Sequence, residues 1–139
     1  MKKLILVFGL LYQAALFAQD INTCMQDLSI FAEYVKVKNY SSAIEPWIKV
    51  KENCPDINVA IYTYGERIIK DKIKNGSPEE IETSKRELIK LYDEWVKYFP
   101  KNKNKSTIGD VTGKKAQALL DFKMADLNVI YSTFDEAFR

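Results

Sequence analysis

The chain's two cysteines, Cys24 and Cys54, stand at equal distances from Asn39, inside the polar cluster KNYSS. On one side, in 24–37, Leu28, Phe31, Ala32 and Val35 recur at helical spacing. On the other, in 43–54, Ile44, Trp47, Ile48, Val50 and Lys51 trace an apolar stripe with a solvated flank. Two helices joined at this cluster run antiparallel, so residues equidistant from the turn lie opposite one another. Cys24 and Cys54 are therefore expected to form a disulfide. Asn39 and the serines place the turn, and the cysteine midpoint agrees with them. A bridge closing a loop of this size stabilises a fold by about 3–4 kcal/mol in the chain-entropy model. A catalytic redox pair usually has C-x-x-C spacing, which this chain lacks.

The compartment follows from the first residues, MKKLILVFGLLYQAALFAQD. Lys2 and Lys3 form a positive n-region, Leu4 to Leu11 an apolar run, and Ala14 to Ala18 a small-residue stretch before Gln19. Residues 1–18 read as a signal peptide cleaved after Ala18, leaving 19–139 as the mature domain. The apolar run is too short to span a bilayer comfortably, and Gln13 interrupts it, so no membrane span is expected after cleavage. The residues before Cys24 do not form a lipobox. The expected location is outside the cytoplasm, in the periplasm or cell envelope if the source is bacterial, where disulfides persist. Cleavage also removes two of the 21 basic residues and no acid, leaving 19 of each sign. A neutral exported chain gives no reason to expect a nucleic-acid partner. The local run KNKNK at 101–105 reads as a solvated loop.

Periodicity continues as helices. One fits 57–74, after Pro55-Asp56 and before Asn75-Gly76. Ser77-Pro78-Glu79-Glu80 supplies an N-cap, a proline at the first helical position and a capping-box glutamate, so a helix is expected from 78 to about 98, ended by Phe99-Pro100. Thr107 can cap a helix to about Phe122, and Asp126 a last one running to Arg139. In the 43–54 helix, Ser42 with Glu45 fits a capping box, which would put Pro46 in a tolerated early position. No alternating β-branched run competes. The expected class is all-α: six helices in three antiparallel hairpins.

The first hairpin resembles the tetratricopeptide repeat, whose pattern is roughly W-x2-L-G-x2-Y…A-x3-F…P. Tyr34, Tyr40, Ala43, Trp47 and Pro55 stand at that family's spacings, with Ile30 in the Leu place and Phe31 in the Gly place. The second resembles a stretched copy, with Ile61, Tyr64, Gly65 and Ile68 matching the first helix and Leu88, Tyr92 and Pro100 the second. In the third, Ile130, Phe134 and Ala137 match second-helix positions. The resemblance implies a short stacked solenoid of tetratricopeptide type. A generic helical bundle with aromatic seams is the alternative, since such stripes usually form core.

Chemistry is sparse. The chain has no histidine, which removes the usual general base and the commonest metal ligand together. Gly109-Asp-Val-Thr-Gly113-Lys114-Lys115 has the wrong spacing for a phosphate loop and reads as a helix start. Glu79-Glu80 and Asp135-Glu136 suit helix termini and solvated faces. Asn39, Asn75 and Asn104 head glycosylation sequons. No enzyme, cofactor or metal site is expected.

The family's ligand-facing positions, carried onto this chain, give Met25, Leu28, Ala32, Val35 and Lys36 in the first hairpin. The second gives Val59, Tyr62, Glu66, Ile69 and Lys70, and the third Thr112, Lys115, Leu119, Phe122 and Lys123. The resemblance thus implies a peptide groove marked by Lys36, Tyr62, Glu66, Lys70, Lys115 and Lys123, with a basic ladder suited to an acidic peptide or protein. The plainer reading is that lysines at helix ends satisfy the last carbonyls and the helix dipole. The expected function is an exported interaction or scaffold module. The alternative is a structural or self-associating helical assembly, because Phe134 and Phe138 leave the final helix with apolar surface, which suits self-association or further repeats.

Overall fold

The computed structural model describes residues 21–102 and 105–138. The expected signal peptide, 1–18, and the Asn104 sequon lie outside the described residues. The chain divides into two compact units, one ending at Ile57 and one beginning at Asn58.

In the first unit, α1 (21–36) and α2 (Tyr40–Asn53) form the hairpin that the cysteines foretold. Cys24 and Cys54 are disulfide-bonded, with Cα atoms 6.2 Å apart, and no described cysteine is free. The buried residues of α1 are Cys24, Leu28, Phe31 and Val35, and those of α2 are Ala43, Trp47 and Val50. Pairing Leu28 with Val50, Phe31 with Trp47 and Val35 with Ala43 leaves each pair equidistant from Asn39, as the cysteines are. The buried positions of the two helices are thus symmetric about the turn, as the bonded cysteines are. The turn closes with Lys38 in the left-handed region, φ 60°. Its N–H reaches the Val35 carbonyl at 3.1 Å, and that of Asn39 the Tyr34 carbonyl at 2.8 Å, which is a Schellman closure.

The second unit holds α3 (Ala60–Asn75), α4 (Pro78–Tyr98), α5 (Ile108–Asp121) and α6 (Leu127–Ala137). Each packs on its neighbour in sequence. Only Gly76-Ser77 separates α3 from α4, so the two must fold back antiparallel. Tyr62 stacks near Trp95 and Tyr98 at one end of their seam, while Lys72 pairs with Glu87 at the other. The expected start of α4 is present in full: Ser77 accepts from the Glu80 N–H, and the Glu80 carboxylate from the Ser77 N–H. Between α4 and α5, Lys101–Asn102 (β1) pairs antiparallel with Lys105–Ser106 (β2), a ladder confined to the loop. At the far end of the α5–α6 seam, a Cβ on Gly109 would lie 2.7 Å from the Ala137 carbonyl oxygen, so glycine permits that close approach.

Local details depart from the expectations in four places. The N-cap of α2 is Asn39 rather than Ser42; the Asn39 side chain accepts from the Ser42 N–H at 3.4 Å, and Glu45 turns instead to Lys49. Pro46 consequently lies inside α2, where it has no N–H to offer the preceding turn. The third helix begins at Ala60 and not at 57, because Asn58 Oδ1 accepts from the Ala60 N–H at 2.8 Å and ends the preceding turn there. Thr107 precedes α5 without capping it, its hydroxyl donating to the Phe99 carbonyl. The last helix stops at Ala137.

Candidate functional site

The polar centre of the second unit is Glu66, on α3. Gly65 and Glu66 fall on the broad face that α3 buries, and Glu66 is only 8% exposed. Bringing a carboxylate into such a seam is costly unless its lone pairs are filled. Three helices fill them. From α3 itself, Lys70 Nζ donates to Oε1 at 2.7 Å; from α4, Tyr92 Oη donates to the same oxygen at 2.9 Å; and from α5, Lys114 Nζ donates to Oε2 at 2.8 Å. Lys114 Nζ also lies 5.1 Å from the Trp95 ring centroid, a cation–π contact.

Burial is the largest single influence on the Glu66 carboxyl and acts to raise its pKa. The hydrogen bonds from Lys114 and Lys70, the Lys114 charge and the Tyr92 hydroxyl together outweigh it, holding the carboxyl below its ordinary value of 4.5. Burial, then the Glu66 charge and their shared hydrogen bond, push the Tyr92 phenol far above its ordinary 10.0. The pair thus has fixed roles, with Glu66 an ionised acceptor and Tyr92 a neutral donor. Beside them a cavity of about 170 Å³ is lined by Lys70, Leu88, Tyr92, Lys114, Gln117, Ala118, Asp121 and Phe122. Two ammonium groups share one buried carboxylate at its wall, and the remaining acid, Asp121, accepts from Gln117 at 2.7 Å.

The residues carried over as a groove differ in their exposure and partners. Tyr62 is fully buried, Glu66 nearly so, and Leu28, Val35, Ile69, Thr112 and Leu119 are core as well. Their side chains are therefore largely closed to solvent. In the first hairpin the family register puts Ile30 and Tyr34 in the seam although both are exposed, while Phe31, in the place of the small glycine, is completely buried. Lys36 pairs with Glu33 at 2.6 Å on an exposed face of the first unit. Lys115 bridges from α5 to Asp93 of α4 at 2.6 Å. Lys123 is exposed with φ 54°, and its backbone N–H, not its side chain, serves a helix-end carbonyl. Only Lys70, among those six residues, lines the cavity.

Lys114 escaped the sequence reading. Adjacent lysines on a helix point about 100° apart, so only one of Lys114 and Lys115 can reach α3. The signal was a glutamate at a core position, which demands a cation from a neighbouring helix. Among the described residues no group of three or more histidines, cysteines, aspartates or glutamates could hold a metal ion. No described helix is long and apolar enough to cross a membrane. No family model, no curated protein and no solved structure matches this chain.

Proposed function

We propose that this chain is an exported, tetratricopeptide-like interaction module that holds an acidic peptide segment of a protein partner at the Lys70–Lys114 cavity. The observation that carries the reading is the shared carboxylate: two lysines from different helices converge on Glu66 at the wall of an open, partly apolar cavity. Counted with Glu66 and with Asp121, which also lines the cavity, the two lysines leave it neutral, so the reading rests on their fixed ammonium donors and not on surplus charge. An incoming carboxylate would meet donors already fixed in position, which lowers the ordering cost of binding. Leu88, Ala118 and Phe122 supply apolar surface for a neighbouring side chain. Consecutive helical hairpins, the disulfide in the first unit and the lack of histidine all suit a binding module better than an enzyme. Of the other lysines of the expected ladder, Lys36 pairs with Glu33 and Lys123 does not line the cavity, so the reading is confined to this one cavity.

The test is a peptide-display selection against the mature chain, residues 19–139. Enriched sequences should carry an acidic group beside an apolar residue, bind with strong salt dependence, and weaken about tenfold with Lys70→Ala. That substitution leaves Glu66 with Lys114 and Tyr92, so the fold should persist. Selected peptides indifferent to both salt and Lys70→Ala would overturn the reading.

A further inference from the structure

Of the asparagines in the chain, Asn75 alone is followed by glycine. It is the exposed last residue of α3, and Gly76 is the first residue of the short link to α4. Glycine stands there for a local reason: a Cβ at position 76 would lie 2.6 Å from the Lys72 carbonyl oxygen and 3.1 Å from Glu80 Cβ. The same lack of a side chain has a chemical consequence. Little hinders the Gly76 nitrogen from closing on the neighbouring carboxamide carbon, which is why asparagine cyclises faster before glycine than before bulkier residues.

In the folded chain three hydrogen bonds hold the reacting atoms in place. Helical Cβ atoms tilt toward the helix N-terminus, and the Asn75 side chain follows that direction, away from Gly76; its Nδ2 donates to Asp71 Oδ1 at 2.8 Å. The Gly76 N–H donates to the Lys72 carbonyl at 2.9 Å. Beyond it, the Ser77 N–H donates to Glu80 Oε2 at 2.8 Å and fixes the next peptide unit. The first two bonds belong to the last turn of α3 and are released together when it frays, an opening that costs far less than unfolding the core.

We infer that Asn75 is a self-modification site gated by the last turn of α3. When that turn opens and hydroxide takes the Gly76 amide proton, the nitrogen bonds to Asn75 Cγ, the Cγ–Nδ2 bond breaks and ammonia leaves. Solvent water then opens the cyclic imide. Cleavage between nitrogen and Cγ leaves aspartate, and cleavage between nitrogen and the Asn75 main-chain carbonyl carbon leaves isoaspartate, in which the chain continues through Cγ. The net reaction consumes one water and releases one ammonia. Either product acts on the hairpin. Aspartate loses the donor that met Asp71 and sets two carboxylates one turn apart at the end where the helix dipole favours cations, an effect that Lys72 and Lys74 soften. Isoaspartate adds a main-chain methylene beside the close approach of Gly76 to Lys72 and Glu80, and so disturbs the start of α4 more. The inference goes beyond the cavity reading and does not depend on it.

The folded mature chain and the same chain unfolded in guanidinium chloride are incubated side by side in mildly alkaline buffer. Mass spectrometry follows the tryptic peptide 75–85, with its aspartate and isoaspartate forms separated chromatographically. Conversion is expected in both states, confined in the folded chain to Asn75 and slower there by about tenfold or more. Lys74→Gly, at an exposed position, loosens the last turn and should bring the folded rate toward that variant's own unfolded rate, whereas Lys74→Ala should not. The purified isoaspartyl chain should melt several degrees below the parent. Equal rates in the two states, or a folded rate unmoved by Lys74→Gly, would overturn the gate. Conversion of another asparagine ahead of Asn75 in the folded chain, or an intact Asn75 after many unfolded-state half-lives, would overturn the site. An isoaspartyl chain as stable as the parent would overturn its effect on the hairpin.

Discussion

Tyr92 donates a phenolic hydrogen bond to Glu66 at 2.9 Å across the α3–α4 seam; it adds to the stronger pull of Lys114 and Lys70 on the carboxyl, while burial and then Glu66 push the phenol upward. Tyr92→Phe keeps the ring and removes one donor from a buried carboxylate that retains its lysines. The expected cost is about 1–2 kcal/mol, read from urea unfolding as a lower midpoint with an unchanged slope. A variant as stable as the parent would mean that Glu66 does not need this third donor.

The same pair predicts a pH profile. The folded-state pKa of Glu66 is depressed, so its contribution is complete above the unfolded value near 4.5 and is lost as pH falls through the folded value. The folded-state pKa of Tyr92 is raised, so its contribution is complete below the unfolded value of 10.0 and is lost as pH rises above it. Stability differences between the parent and Glu66→Gln should therefore be largest near neutrality and shrink below about pH 4.5. Parallel acid limbs for the two proteins would contradict the assignment.

Much of the architecture was legible because local signals agreed with one another. The Ser77–Glu80 box, the Asp126 cap and the cysteine midpoint each reported a backbone event in their own few residues. The site was less legible, because it depends on rotation of one helix against another. Tyr62 and Glu66 sit on the broad buried face of α3, which includes positions that the family register assigns to ligand contact. Asn39 prevailed over Ser42 as a cap for a similar reason. Both residue types cap well, and the Schellman closure at Lys38 and Asn39 brings Asn39 to the start of α2.

The disulfide itself gives a direct test. Thiol titration of the folded mature chain should find no free thiol, since the two cysteines are bonded to each other. Reduction should lower the melting temperature of the first unit by several degrees, because about 3 kcal/mol is a large fraction of a small unit's stability. Two reactive thiols in oxidised, folded protein would exclude the bridge.

Trp47 is completely buried in the first unit, with the Lys51 ammonium 5.6 Å from its ring centroid. Trp47→Ala should cost about 3–5 kcal/mol. Its fluorescence in the native state should resist acrylamide. Ready quenching would place the seam of α1 and α2 in another register.

Lys38 and Lys123 occupy the same unusual position at the ends of α1 and α5. Both have positive φ, 60° and 54°, and both close a Schellman motif. Lys123 N–H bonds the Leu120 carbonyl at 3.2 Å, and the Met124 N–H the Leu119 carbonyl at 3.0 Å. A side-chain-bearing residue is disfavoured in this conformation by about 1–2 kcal/mol, and glycine recovers that while losing about 0.5–1 kcal/mol through its freer unfolded chain. Lys38→Gly and Lys123→Gly should therefore each stabilise the chain, by about 0.5–1 kcal/mol, whereas the corresponding alanine variants should not. Urea unfolding of the four variants checks the sign. Glycine variants less stable than their alanine counterparts would show that neither turn is held in the left-handed region. Lys123→Gly also removes one charge of the expected basic ladder. Since Lys123 does not line the Lys70–Lys114 cavity, the selected acidic peptides should bind this more stable variant as tightly as the parent.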